Sequence, residues 1–203
     1  EELGDLAPAA RMLAGDITDQ AFVDEVVAAA GGRVDLLANV AGIMDHFVPL
    51  GEIDDALWDR VIGVNLTAVM RMTRAVLPGM VDAGGGAVVT VASKASLGAG
   101  ASGVAYTSSK HGVIGLVKHV AYFYGPKGVR SNAVLPGPVQ TGIGASAAPT
   151  SQWAIERAGL SMATMGAMAS PDMIASAISW LGSDESLNVN GAILVSDGGW
   201  STA

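Results

Sequence analysis

The sequence of 203 residues contains no cysteine, which excludes a disulfide scaffold, a thiolate metal site and a cysteine nucleophile. Charged side chains are also scarce, at 15%, and acidic residues outnumber basic ones, so the net charge is −8. We therefore expect no nucleic-acid partner, because phosphate contacts need clustered lysine and arginine. No apolar run reaches about 18 residues without a charge, so we expect no membrane-spanning segment. The N-terminus lacks the basic and apolar regions of a signal peptide, and we expect a cytoplasmic protein.

Glycine and apolar residues are abundant instead: the chain has 27 glycines, and half of its residues are hydrophobic. A glycine-rich, charge-poor composition is typical of buried parallel strands joined by tight turns. The length fits one unit of ordinary size, so we predict a single domain over residues 1–203.

Short β-branched runs alternate along the chain with alanine-rich helical stretches. The predicted strands are Arg11–Ala14, Val34–Val40, Ala87–Ala92, Val129–Leu135 and Ala192–Val195, and the predicted helices are Phe22–Ala30, Leu57–Val81, Val104–Tyr124 and Pro171–Leu181. This alternation predicts an α/β fold with a parallel sheet covered by helices on both faces. Ligands of such sheets bind beyond the C-terminal ends of the strands, so polar residues there are the first candidates for chemistry.

Tyr106 and Lys110 lie four residues apart in a predicted helix and therefore share one face. A free tyrosine has a pKa near ~10, and a cation alongside favours the phenolate and lowers that pKa. The pair is a candidate general acid/base for neutral pH. The alternative is an ordinary surface helix that carries both residue types without function.

Ser93 follows the predicted strand Ala87–Ala92, so its hydroxyl is expected at the sheet edge near the start of the Tyr106 helix. There it can donate a hydrogen bond to a substrate oxygen, or it can simply cap a turn. Asn65 lies inside a predicted helix, where asparagine is unfavourable and needs a reason. One reason is a buried structural hydrogen bond, and the other is a water that relays protons to Lys110.

The segment Gly98–Gly103 matches the spacing G-x-G-x-x-G between a strand and a helix. One interpretation is a phosphate-binding turn of a nucleotide-binding βαβ unit. The turn is long, however, and the following strand Val129–Leu135 ends without an acid for a ribose. We interpret the segment as the loop between Ser93 and Tyr106, bordering a substrate pocket.

In their order and spacing these motifs resemble the short-chain dehydrogenase/reductase family, in its compact single-domain branch. The resemblance runs from Asp16 to Trp200 and rests on Asn39-x-Ala41-Gly42, Asn65, Ser93, Tyr106-x-x-x-Lys110, Pro136-Gly137 with Thr141, and Asp197-Gly198-Gly199. It implies a Rossmann-type, doubly wound sheet, NAD or NADP as cofactor, and a small-molecule carbonyl or alcohol as substrate.

The resemblance also implies roles for individual residues. Tyr106 would donate or accept the proton, Lys110 would hold the nicotinamide ribose and lower the pKa of Tyr106, Ser93 would orient the substrate oxygen, and Asn65 would position the relay water. The implied cofactor contacts are Asp16 and Ile17 at the adenine, Asn39, Ala41 and Gly42 at the adenosine ribose, and Pro136, Gly137, Val139 and Thr141 at the nicotinamide end. Hydride transfer to the carbonyl carbon would accompany protonation of its oxygen by Tyr106.

The resemblance further implies that a lid over the substrate occupies about residues 142–170. This stretch is apolar and rich in methionine, which suits a hydrophobic substrate. Alternatively, its side chains pack on the lid itself or on a neighbouring subunit. The C-terminal strand and Trp200 resemble a subunit contact, so we expect a homo-oligomer, either a tetramer or a dimer.

Members of the family open with a strand, a glycine-rich phosphate loop, a helix and a second strand, and none of these precedes Glu1. We therefore expect a fold that lacks the first β-α-β segment, roughly fifty residues by the usual size of such a unit. The choice between NAD and NADP is usually made in that region and stays open. The alternative function is accordingly a truncated, non-catalytic relative that serves as a binding or oligomerising module.

Overall fold

The computed structural model describes residues 10–146 and 148–202. Its helices are α1 Gln20–Ala29, α2 Asp55–Ile62, α3 Ala68–Asp82, α4 Val104–Tyr124, α5 Gln152–Met162 and α6 Pro171–Gly182, and its strands are β1 Leu36–Asn39, β2 Gly86–Val91, β3 Val129–Pro136 and β4 Ile193–Ser196. The four strands pair in the order β1-β2-β3-β4, and every pair is parallel. The predicted α/β class and parallel sheet are confirmed. Within these residues no helix is long and apolar enough to cross a membrane.

The two faces of the sheet are covered by different helices. Val88 of β2 packs on one face against α3 and α4, together with Ala133 and Leu135 of β3. Val89 of β2 and Val134 of β3 point to the opposite face and pack against α6. This alternation gives the Rossmann-like arrangement of helices on both sides of a parallel sheet.

Two sequence predictions of secondary structure are wrong. Arg11–Ala14 is irregular rather than a strand, and none of the described strands pairs with it. The predicted helix Leu57–Val81 is divided into α2 and α3 by a π-helical turn, Gly63–Thr67, which contains Asn65. Helix α5 within the proposed lid was not predicted, whereas α4 has the predicted bounds.

Candidate active site

The C-terminal end of β2 and the first turns of α4 bring Ser93, Tyr106 and Lys110 together. The Ser93 hydroxyl accepts a hydrogen bond from the Ala95 amide at 3.1 Å and thereby caps a short 3₁₀ turn after β2. Tyr106 and Lys110 lie one turn apart on α4 and are both buried. The cluster therefore combines a hydroxyl, a phenol and an amine at the sheet edge where α/β proteins bind ligands.

Lys110 connects the helix to the sheet. Its Nζ donates to the carbonyl oxygen of Val91 at 3.0 Å and lies 5.5 Å from the centroid of the Tyr106 ring. The ammonium is thus held beside the phenol and directed at the end of β2.

Burial controls the ionisation of both groups. It raises the pKa of Tyr106, while a hydrogen bond with Ser93 acts in the opposite direction and the negative charge of Asp45 raises the pKa further. Burial lowers the pKa of Lys110 from 10.5 to about 8. The pKa of Tyr106 is therefore raised rather than lowered as expected. Desolvation disfavours the phenolate and is the largest cause of the shift.

Asn65 is completely buried and forms a structural hydrogen-bond pair with the backbone. Its Oδ1 accepts from the Ile43 amide at 2.9 Å, and its Nδ2 donates to the Ile43 carbonyl at 2.9 Å and to Ser109 Oγ at 3.2 Å. This confirms the structural reason for the asparagine, and the relay water stays a prediction. A Cβ on Gly42 would lie 3.4 Å from Asn65 Oδ1 and 3.5 Å from Lys110 Nζ, so these residues are neighbours.

The residues expected near the adenosine half of a dinucleotide differ in exposure and in the contacts of their side chains. The Asn39 amide donates to Thr73 Oγ1 at 3.2 Å and to Thr90 Oγ1 at 3.4 Å, so it points between β2 and α3. Ala41 is exposed, as is Asp16, while Ile17 is half-buried. Hydrogen bonds from the backbone and side chain of Thr18 lower the pKa of Asp16.

The residues expected near the nicotinamide follow β3. Gly137 lies against the C-terminal turn, where a Cβ would approach Asp197 Cβ to 2.9 Å. Val139 forms a parallel bridge with Ala169, and the exposed Thr141 donates its amide to the Val139 carbonyl at 2.8 Å. Pro136 ends the strand and is buried.

Sequence reasoning missed Asp45, which is fully buried beside Tyr106. Its carboxylate accepts from the Gly103 amide at 2.9 Å and from the Tyr106 amide at 2.8 Å. An available signal was its position among Ile43, Met44, Phe47 and Val48, since a buried acid in an apolar run requires donors. These contacts also argue against a phosphate site at Gly98–Gly103, because the amides at the helix start already bind a carboxylate.

A cavity of about 520 Å³ lies between α5 and the loop Gly98–Gly103. Its mainly apolar wall is formed by Phe47, Pro49, Ala99, Gly100, Ser102, Gly103, Val104, Thr107, Trp153, Ala154, Arg157, Ala158, Leu160 and Ser161. The loop thus borders a pocket next to the first turn of α4.

Helix α5 is held at both ends. Near its start, Trp153 Nε1 donates to Glu52 Oε1 at 2.6 Å. Near its end, Ser161 accepts from Lys94 Nζ at 3.2 Å through its hydroxyl and from Trp200 Nε1 at 2.8 Å through its carbonyl. The helix is therefore connected to the loop after β2 and to the C-terminus.

The chain is similar to known proteins over most of its length. A family model described as enoyl-(acyl carrier protein) reductase matches residues 1–201. Short-chain dehydrogenase/reductase cdmF of Talaromyces verruculosus is 39% identical over 198 residues, covering 94% of this chain and 77% of that protein. 3beta-hydroxysteroid dehydrogenase 2 of Eggerthella lenta is 40% identical over 171 residues, covering 84% and 66%.

Among solved structures, a protein of Beutenbergia cavernae superimposes with a TM-score of 0.86 at 34% identity, covering 100% of this chain and 81% of that one. It is described as a candidate NAD(P)-dependent gluconate 5-dehydrogenase with NADP bound at low occupancy.

Proposed function

Because the chain belongs to the short-chain dehydrogenase/reductase family and is an NAD(P)-dependent oxidoreductase, we propose that it interconverts a carbonyl and a secondary alcohol, with Tyr106 as proton donor and acceptor. One observation carries the proposal: the Tyr106 side chain is buried, the Ser93 hydroxyl lies near enough to lower its pKa, and Lys110 Nζ lies 5.5 Å from its ring centroid. This set of groups also argues against a non-catalytic module.

The surroundings of Lys110 suit a nicotinamide nucleotide, which supplies or accepts the hydride when bound. The Lys110 ammonium has three donors, and the bond to Val91 uses one, so the others can bond a ribose hydroxyl. Gly42 keeps the space beside this ammonium free of a side chain. We therefore assign Gly42 to the ribose beside Lys110, rather than to the adenosine side that the resemblance implies, and Pro136, Gly137, Val139 and Thr141 to the nicotinamide end.

Proton transfer then follows from three side chains. The Ser93 hydroxyl donates to the substrate oxygen and orients it, and the Tyr106 hydroxyl transfers its proton to the same oxygen. Lys110 holds a positive charge near the phenol as negative charge develops there. Asn65 supports the loop beside Lys110, and we assign it the relay water.

The direction of catalysis depends on pH in this scheme. Burial raises the pKa of Tyr106, so the phenol is protonated at neutral pH and is ready to donate. Carbonyl reduction is therefore favoured near neutrality, and alcohol oxidation increases as the pH rises toward the pKa of Tyr106.

We assign a hydrophobic substrate to the cavity beside α5, with residues 142–170 as its lid. Phe47, Val104, Trp153 and Leu160 contribute apolar surface to that cavity. The Eggerthella lenta relative is named for a steroid substrate, a large apolar alcohol. A panel of ketones with matched carbonyl reactivity and increasing apolar size tests this assignment. We expect kcat/KM to rise with the apolar size of the ketone. A preference for small polar ketones would contradict the assignment.

Replacement of Tyr106 by phenylalanine tests the chemical assignment. Tyr106→Phe keeps the ring and removes the hydroxyl, so turnover falls by at least about 100-fold, within the range of general acid–base catalysis. Tyr122→Phe is the control, because it removes the same hydroxyl from a tyrosine of the same helix that lies 16 residues, about 24 Å, from Tyr106. Turnover of Tyr106→Phe within a few-fold of the unmodified protein contradicts the proposal.

We also assign a homo-oligomer, a tetramer or a dimer. The supporting feature is an exposed aromatic pair on α4, Tyr122 and Phe123, whose ring centroids lie 5.2 Å apart. Exposed apolar patches commonly mark interfaces. Sedimentation analysis is expected to give at least a dimer, with Phe123→Glu shifted toward monomer, and a monomeric unmodified protein contradicts the assignment.

A further inference from the structure

The start of α4 is capped by a distant loop rather than by its own sequence. Its N-cap residue, Gly103, has no side chain to accept a hydrogen bond. The amides of Gly103 and Tyr106 instead donate to the Asp45 carboxylate, and the Val104 amide donates to the Val48 carbonyl at 3.0 Å. The positive end of the helix dipole favours an anion at this point.

The capping loop approaches the helix so closely that only glycine fits at its N-cap. A Cβ on Gly103 would lie 2.5 Å from the Val48 amide nitrogen and 2.6 Å from Asp45 Oδ2. The two segments therefore contact each other backbone to backbone, and the position of one fixes the position of the other.

The loop adopts an unfavourable backbone conformation to make this contact. His46 and Phe47 follow Asp45 and have φ angles of 55° and 56°, in the left-handed region that non-glycine residues seldom adopt. Strain of this kind persists where the surrounding contacts determine it, and it concentrates at functional sites. Here it turns the chain so that both Asp45 and Val48 face α4.

We propose that Asp45 is a positioning residue for proton transfer: its buried carboxylate accepts the backbone amide of Tyr106, fixes that backbone at the start of α4 and adds a negative charge to the surroundings of this residue. This role rests on the proposed function of Tyr106. It differs from an ordinary cap because the capped amide belongs to the proton donor itself.

The electrostatic consequence follows from the groups that face Tyr106. Among the described residues these are the Asp45 carboxylate from the loop after β1, the Lys110 ammonium from α4 and the Ser93 hydroxyl after β2. Helix α2 shares an apolar cluster with Tyr106 through Leu57, Trp58 and Val61. Asp45 favours the protonated phenol and therefore keeps Tyr106 a proton donor to higher pH.

Asp45→Asn tests the proposal, because it keeps the size of the side chain and removes the charge and one acceptor. In alcohol oxidation by the complete protein with NAD or NADP, kcat falls about 10-fold or more, as expected for a displaced acid–base group. The pH midpoint of kcat/KM moves down by about half a unit or more, because loss of the negative charge favours the phenolate.

Asp54→Asn is the matched control. Asp54 also accepts a helix-start amide, from Leu57 at 2.7 Å, but it caps α2 and is exposed. Asparagine caps a helix as well as aspartate does, so this variant keeps both kcat and the midpoint. An Asp45→Asn variant that is folded and has the kcat and midpoint of the unmodified protein overturns the inference.

A second readout separates this inference from the proposed function. The ionisation of Tyr106, followed by NMR of ¹³C-labelled tyrosine, shifts to lower pH in Asp45→Asn whether or not Tyr106 is catalytic. If Tyr106→Phe loses turnover but the ionisation of Tyr106 does not shift in Asp45→Asn, only the proposed role of Asp45 is overturned. If Asp45→Asn does not fold, Asp45→Ser is measured in its place, and failure of both to fold means that Asp45 serves only the fold and overturns the proposal.

Discussion

Asn65 holds the backbone of Ile43 from both sides, since its Oδ1 accepts from the Ile43 amide and its Nδ2 donates to the Ile43 carbonyl, each at 2.9 Å. Ile43 lies two residues before Asp45, so the π-helical turn supports the loop that caps α4. The local departure from α-helical geometry is therefore tied to the candidate site, as π-helical turns often are.

This pair predicts two separable effects of Asn65→Leu. Loss of the amide leaves two backbone groups of Ile43 without their partner and lowers the free energy of unfolding by about 2–4 kcal/mol. It also lowers kcat by displacing the loop beside Lys110. Urea denaturation and steady-state kinetics measure the two effects.

Asn132→Leu is the control for this prediction. Asn132 is also completely buried, donates to the Val189 carbonyl at 2.8 Å and accepts from the Ala192 amide at 2.9 Å. We expect a similar loss of stability with kcat preserved per folded molecule. Equal effects of the two variants on kcat would contradict a specific role for Asn65.

Lys110 predicts a dependence of stability on pH. Its folded-state pKa of about 8 lies below the ordinary value of 10.5, so folding releases a proton between these pH values. The free energy of unfolding therefore rises with pH across this window, by up to roughly 3 kcal/mol relative to Lys110→Met. Lys118→Met, at an exposed position of α4, follows the unmodified protein. If the difference in the free energy of unfolding between the unmodified protein and Lys110→Met stayed constant from pH 8 to 10.5, burial would not lower this pKa.

Alanine is expected to change stability in opposite directions at two glycines, Gly115 within α4 and Gly103 at its N-cap. Gly115→Ala fills open space within the helix and raises the free energy of unfolding by about 0.5–1 kcal/mol. Gly103→Ala forces a Cβ onto Val48 and Asp45 and lowers it by about 1–3 kcal/mol. Chemical denaturation of both variants compares them directly. Stabilisation by Gly103→Ala would mean that the capping loop does not approach α4 as closely as described.

The ends of α5 predict local changes in amide hydrogen exchange. Trp200→Phe removes the bond to the Ser161 carbonyl, so the amides near Met162 exchange about 5- to 10-fold faster, as expected for one lost hydrogen bond. Trp153→Phe removes the bond to Glu52 and accelerates exchange near Ile155 instead. Each variant is the control for the other. If each variant accelerated amide exchange equally in both halves of α5, the two ends would not be held separately.

The periodic features of the fold could be predicted from the sequence. Helix α4 has the predicted bounds, and four of the five predicted strands form, because apolar patterns and glycine-containing turns are local signals. The motif order also brought Ser93, Tyr106 and Lys110 together correctly. Arg11–Ala14 failed as a strand because an apolar run forms one only when a neighbour pairs with it, which the run itself does not encode.

The features that sequence reasoning missed depend on contacts between distant segments. The π-helical turn at Asn65 follows from its bonds to Ile43, 22 residues away, and the burial of Asp45 follows from amides 58 and 61 residues further along the chain. The pKa of Tyr106 moves upward because of desolvation, which the spacing to Lys110 does not report. Such effects become visible only once the packing is known.

The measurement that tests the account most directly is a titration of the chain with NADH and with NADPH, followed by nicotinamide fluorescence. We predict saturable binding of at least one dinucleotide, with an affinity in Tyr106→Phe within about threefold of that of the unmodified protein, because the hydroxyl acts in proton transfer rather than in binding. Absence of saturable binding of either dinucleotide to the folded chain would contradict the assignment of Tyr106, Lys110 and Ser93 to nicotinamide-dependent chemistry in this polypeptide.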